Sequence, residues 1–92
     1  GRDSERLPTN TLLVIFSDHV LLKLPTDAEL RTIFNLSCKG LGVVTKISSM
    51  GSNRGLSRFV EFDSVEAAAN ALQNSYGYLD PGTRIEYRYS FC

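Results

Sequence analysis

The sequence predicts a single α+β domain with four strands and two helices in the chain order β-α-β-β-α-β. Four short runs rich in β-branched and aromatic residues have the length of strands. Two other segments combine a helix-capping residue with apolar residues at helical spacing. The 92 residues, 42% of them apolar and 22% charged, are enough for one packed core.

The first half of the chain predicts one strand and one helix. Residues 10–16 form a β-branched and aromatic run, followed by a loop over residues 18–23. Thr26 can then cap a helix, with Glu29 completing a capping box. Lys39-Gly40 is a typical helix end. The core-facing stripe of this helix is expected to be Leu30, Ile33, Phe34 and Ser37.

The second half predicts three strands and one helix. The strands are expected at residues 43–48, 56–62 and 83–89, and in the last two of these apolar and polar residues alternate. Asp63 or Ser64 can cap the second helix, with Glu66 in the box position. Residues 74–82 contain glycine and proline, which indicates a turn-rich connection. The core stripe of the second helix is expected to be Val65, Ala68, Ala71 and Leu72.

The element order is that of the ferredoxin-like, or split βαβ, arrangement. In it, two helices cover one face of a four-stranded antiparallel sheet and leave the other face open. An open sheet face must either be polar or serve a function, so its side chains are the candidate site.

The third strand and second helix resemble the RNA recognition motif family, or RRM. Residues 54–62 (RGLSRFVEF) are similar to the third-strand signature, and the alanine-rich residues 63–72 follow it as in that family. Residues 10–14 and 42–47 are similar to the first two strands. The resemblance implies an RRM-like domain over residues 9–92. The mostly polar and charged residues that precede it, 1–8, are expected to be a linker or a cloning remnant. The resemblance also implies an intracellular RNA-binding protein, nuclear or cytoplasmic.

The resemblance implies that single-stranded RNA binds the open face. Phe59 is expected to point outward and stack a base, and Ser57 falls at the other outward position. In the first strand, one register points Leu13 and Ile15 at the open face, and the other points Val14 and Phe16. The register with Leu13 and Ile15 aligns better with the family.

Arg58 falls where the family has a small inward residue. A buried, unpaired guanidinium would cost several kcal/mol. A β-bulge at Ser57–Arg58 would instead swing Arg58 outward, and we favour the bulge over the inward orientation.

The basic residues are well placed although the formal net charge is zero. Arg84 and Arg88 alternate with apolar residues of the last strand, and Lys46 points outward from the second. Arg54 can reach the same face from the basic loop at residues 50–55. These residues are the remaining predicted RNA contacts, with Arg58; the alternative is that they are ordinary solvated strand residues. Glu61 and Glu86 interrupt the basic patch.

The sequence offers no catalytic or cofactor motif, so neither an enzyme nor a cofactor is expected. His19 lies beside Asp18 without a nucleophile in an evident partner position, and clustered metal ligands and a glycine-rich phosphate loop are missing. No apolar run has the length of a membrane span. Cys38 and Cys92 are expected to be reduced thiols.

Two functions remain open. The first is single-stranded RNA binding, weak for this domain alone and strengthened by a neighbouring RNA-binding domain. The second is protein interaction or homodimerisation on the same scaffold, which zero net charge and the single platform aromatic favour. The Arg54-Gly55 lead-in, Phe59 and the alternating arginines favour RNA.

Overall fold

The computed structural model describes residues 7–17, 24–49 and 56–88, which form an α+β arrangement. The predicted element types are confirmed, and the first three strands lie within one residue of their predicted bounds. The predicted loops at residues 18–23 and 50–55, with His19 and Arg54, lie outside the described residues, as does Tyr89. The elements are β1 (Thr11–Ile15), α1 (Asp27–Ser37), β2 (Val44–Ser49), β3 (Ser57–Phe62), α2 (Val65–Asn74), a 3₁₀ helix (Tyr76–Tyr78) and β4 (Arg84–Tyr87).

The four strands form one antiparallel sheet in the order β2-β3-β1-β4. β1 and β3 are central, and β2 and β4 are the edges. Side chains alternate between the two faces of a strand, and on the central strands Leu12, Val14, Val60 and Phe62 are buried. These residues therefore point to the helices. Their neighbours in sequence point to the other side of the sheet, which we call the outer face.

One apolar core joins both helices to the inner face of the sheet. Near its centre the rings of Phe34 in α1 and Phe62 in β3 meet edge to face, with centroids 6.1 Å apart. Three alanines of α2 let this helix approach the sheet closely. The core consists of Leu12, Val14, Phe16, Leu30, Phe34, Cys38, Val44, Leu56, Val60, Phe62, Ala67, Ala68, Ala71 and Ile85.

The predicted core stripe of α1 is confirmed, whereas that of α2 is partly wrong. Val65 is 44% exposed and Ala67 is fully buried. The buried face of α2 is formed by Ala67, Ala68 and Ala71. At about 100° per residue, Val65 lies about 110° around the helix from the middle of this face, so its side chain is at the margin of the core. Ser64 accepts a hydrogen bond from the Ala67 N–H at 3.0 Å, so Val65 is the first helical residue.

The two helix starts differ in their hydrogen bonds. The predicted capping box of α1 is present: Glu29 N–H donates to the Thr26 hydroxyl at 3.1 Å, and Thr26 N–H donates to the Glu29 carboxylate at 2.8 Å. The predicted box position of Glu66 in α2 is wrong, because Ser64 is the cap and the third helical residue is Ala67. Asp63 instead accepts a hydrogen bond from Val43 N–H at 3.2 Å.

Replacing Thr26 with alanine is expected to lower the free energy of unfolding by about 1 kcal/mol. The Glu29 N–H at the start of α1 would lose its acceptor. Urea denaturation followed by circular dichroism measures the change.

The matched control is Thr32→Ala in the same helix. Thr32 is exposed, and its hydroxyl donates to the Ala28 carbonyl at 3.2 Å. Alanine there removes no capping bond and has a better helix propensity. Equal destabilisation by the two variants would contradict the capping role of Thr26.

The segment after α1 turns sharply and presses against α2. Lys39 and Gly40 adopt left-handed φ angles of 52° and 85°, which end the helix as predicted. A Cβ atom on Gly42 would lie 2.6 Å from the Ala67 Cβ and would collide with the Asp63 carboxylate. Glycine is therefore required at this point by close approach.

Candidate nucleic-acid interface

A row of four side chains crosses the middle of the outer face. Phe59 of β3 pairs with Leu13 of β1 and with Ser48 of β2, and Leu13 pairs with Glu86 of β4. Partners in an antiparallel sheet lie side by side on the same face. An aromatic ring therefore has an apolar neighbour on one side and a hydroxyl on the other.

A charged row lies beside this aromatic row. Lys46 pairs with Glu61, which pairs with Thr11. Arg88 follows β4, and its N–H donates to the Thr11 carbonyl at 2.9 Å. The row therefore places a lysine and an arginine on the two sides of a glutamate.

The first strand adopts the register with Leu13 and Ile15 on the outer face. Both side chains are half-buried, whereas Val14 and Phe16 belong to the core. This was one of the two predicted registers, and it adds no aromatic ring beside Phe59. The outer-face part of β1 is aliphatic.

Phe59 points to the outer face, as predicted, and its ring is in contact with Arg88. The guanidinium carbon of Arg88 lies 4.6 Å from the ring centroid, within the range of cation–π interactions. Because β1 lies between β3 and β4, this contact spans the central part of the sheet. The ring and the cation thus form one compact group.

Ser57 is buried, whereas the predicted role as an RNA contact requires an exposed side chain. Its position in β3 is on the outer-face side, but only 2% of the residue is exposed. The other residue of this row in β1, Ile15, is half-buried and pairs with Arg84 of β4. Ser57 therefore offers almost no surface to a ligand.

The favoured bulge at Ser57–Arg58 is wrong. Both residues pair without interruption with Ile15 and Val14. The irregularity of the sheet lies in β2, where the register shifts between Val44 and Lys46.

Arg58 consequently points to the helix side, where Asp27 of α1 provides the counter-charge. Its Nε donates to the Asp27 carboxylate at 3.3 Å, and one terminal nitrogen donates to the Ser57 carbonyl at 2.9 Å. The side chain is 17% exposed. Paired in this way, an inward arginine avoids the cost of an unpaired buried charge. Arg58 is not part of the outer face.

The other predicted cations are exposed but have acidic neighbours. The Arg84 guanidinium donates to the Glu86 carboxylate at 3.0 Å, and Lys46 is opposite Glu61. Among the described outer-face residues there are three basic and two acidic side chains, so the excess is a single positive charge. Arg54, the remaining predicted contact, is outside the described residues.

Among the described residues, Tyr87 and Cys38 have raised pKa values, and both face the core side. Burial raises the pKa of the Tyr87 hydroxyl, and this residue packs against the core from β4. Burial, and to a lesser degree the Asp63 carboxylate, raises the pKa of the Cys38 thiol. Tyr87 is thus a packing residue, and Phe59 is the aromatic side chain that the described strands present on the outer face.

Sequence reasoning missed two partners. Asp27 lies 31 residues from Arg58, and no local pattern connects them. Phe59 and Arg88 were each predicted to lie on the open face, but their contact was not. The alternation of side chains along a strand shows which face a residue is on and not how far it lies from a residue of another strand.

The described residues contain no group of three or more histidine, cysteine, aspartate or glutamate side chains able to hold a metal ion. Neither described α-helix is long and apolar enough to cross a membrane. No protein-family model matches the sequence, and a search of curated proteins gives no significant match.

Proposed function

We propose that this chain is an RRM-like, ferredoxin-like domain that binds single-stranded RNA on its outer face and is not an enzyme. The chain order β-α-β-β-α-β, together with the sheet order β2-β3-β1-β4, supports the ferredoxin-like assignment. The observation that supports the function is the pairing of Phe59 with Arg88 on that face. An aromatic ring next to a guanidinium can meet both a base and its phosphate.

The arrangement supports weak binding by the isolated domain. Stacking of one base on an aromatic ring contributes about 1–3 kcal/mol, and the described outer face provides Phe59 for this purpose. Leu13 and Ile15 add apolar contact without aromatic stacking. A neighbouring RNA-binding domain would raise the overall affinity through its effective concentration.

Electrostatic attraction adds a limited contribution. Lys46, Arg84 and Arg88 can approach phosphates, but Glu61 and Glu86 reduce the local potential. If three phosphates are neutralised, affinity for a single strand should fall roughly 20-fold between 50 and 200 mM salt. A protein with a strongly basic face would show a steeper dependence.

An NMR titration with pooled short single-stranded RNAs at two salt concentrations tests this proposal. We expect the largest shifts at Phe59, Leu13 and the β4 residues, with weaker binding at the higher salt. The matched ligand control is the same RNA annealed to its complement, whose paired bases cannot stack on Phe59. Unchanged Phe59 signals with every single-stranded pool would contradict the proposal.

A second candidate function is protein interaction or homodimerisation, and a separate surface favours it. Four apolar side chains near the end of α1 and the start of α2 are between 44% and 58% exposed. Two hydrogen bonds link these regions: Asp63 N–H donates to the Val43 carbonyl at 3.1 Å, and Val43 N–H donates to the Asp63 carboxylate at 3.2 Å. Concentration-dependent line broadening at these residues, without a response to RNA, would support this function. The four residues are Leu36, Leu41, Val43 and Val65.

A further inference from the structure

The Phe59 ring does not present a bare surface on the outer face. Arg88 reaches it from β4, across β1, with its guanidinium carbon 4.6 Å from the ring centroid. A base that stacks on this side of the ring must therefore take the place of Arg88. This competition is a property of the chain itself.

We propose that Arg88 covers the stacking surface of Phe59 in the free chain and transfers to a ligand phosphate when a base replaces it. The inference rests on the proposed function, since it concerns the same face. It makes Arg88 a positioning residue that favours a polynucleotide over a free nucleoside. A nucleoside must displace the guanidinium without giving it a new partner, whereas a strand supplies a phosphate beside the base.

The magnitudes allow this exchange. A cation–π contact at an exposed site should reduce the affinity of a competing base about 2- to 5-fold. Stacking on the ring should raise affinity about 5- to 150-fold. A base can therefore displace Arg88 from the ring, and the competition lowers the affinity for a free nucleoside only modestly.

Arg88 is better suited to this exchange than the other outer-face cations. The Arg84 guanidinium is already bound to the Glu86 carboxylate at 3.0 Å, and Lys46 is opposite Glu61. Stacking on a ring uses the flat face of a guanidinium and leaves the N–H donors in its plane able to bind phosphate. Arg88 can thus leave the ring without first breaking an ion pair to Asp or Glu among the described residues.

Two ligands distinguish covering of the Phe59 ring by Arg88 from a purely electrostatic contribution of Arg88 to RNA binding. Arg88→Ala is titrated by NMR with adenosine, which carries no phosphate, and with a short single-stranded RNA at 50 mM salt. We expect adenosine to bind the variant about 2- to 5-fold more tightly than the original chain. The RNA should bind more weakly, with a salt slope reduced by about 0.7. The proposal thus predicts that Arg88→Ala changes the two affinities in opposite directions.

Arg84→Ala is the matched control, because Arg84 begins β4 and Arg88 directly follows this strand. It should weaken RNA binding and leave adenosine binding unchanged, because Arg84 pairs with Glu86 rather than with the ring. Phe59→Leu provides a direct test of the contact in the free protein. It should remove the upfield ring-current shift of the Arg88 side-chain protons.

Each outcome distinguishes this inference from the proposed function. If Arg88→Ala weakens the binding of both ligands, the proposal that Arg88 covers the ring is overturned even when RNA binds. It is also overturned if adenosine binds the variant and the original chain equally well, or binds neither. If the Phe59 signals of the original chain respond to neither ligand, the RNA-binding proposal fails as well. An Arg88 signal without any ring-current shift would also overturn the cover.

Discussion

Replacing Phe59 with alanine is expected to weaken single-stranded RNA binding about 5- to 150-fold. The ring is the aromatic group that the described strands present on the outer face, and Leu13 beside it cannot replace stacking. The same substitution removes the ring on which Arg88 rests. Fluorescence anisotropy with a labelled single-stranded RNA measures the loss.

Two controls separate stacking from folding and from general loss of aromatic surface. Phe59→Leu keeps most of the apolar volume but has no ring, so it should fold normally and still lose most of the affinity. Tyr78→Ala removes a ring that is 51% exposed in the 3₁₀ helix, outside the four strands, and should leave RNA binding unchanged. Similar losses for Tyr78→Ala and Phe59→Ala would contradict the assignment of the site.

Replacing Phe34 with alanine is expected to lower the free energy of unfolding by about 3–5 kcal/mol. Phe34 is fully buried, and its ring packs edge to face on Phe62. The loss combines the removed apolar area with the cavity left between α1 and β3. Small domains have about 5–15 kcal/mol of total stability, so this single change would leave the chain marginally folded.

Urea denaturation followed by circular dichroism tests the Phe34 prediction. Phe34→Leu is the control of nearest shape, and it should lose less because it leaves a smaller cavity. Phe59→Leu should lose least of the three, since that ring lies on the outer face. A change below about 1 kcal/mol for Phe34→Ala would show that the α1 stripe does not pack as described.

Local patterns were sufficient for the elements and for the side of the sheet on which most residues lie. Thr26 and Glu29 predict the start of α1 because a capping box involves two residues that are three positions apart. Phe59 could be assigned to the outer face because alternation depends only on its distance from Phe62 along one strand. Such signals act over a few residues and need no knowledge of the rest of the chain.

The errors arose where a local choice was nearly balanced. Asp63 and Ser64 are both good caps, and the choice between them decides whether Glu66 or Ala67 is the third helical residue. The contact of Asp63 with Val43 favours Ser64 as the cap, but this contact joins residues 20 positions apart. No pattern within the helix contains that information.

The amino-acid sequence alone established the α+β class, the order of the elements and the outward direction of Phe59, since these depend on short-range spacing. Three features required the folded chain: the inward direction of Arg58, the burial of Ser57 and the contact of Arg88 with Phe59. Each depends on side chains that are distant in sequence and adjacent in space, such as the pair Asp27 and Arg58. These contacts form only after α1 and the four strands have packed together.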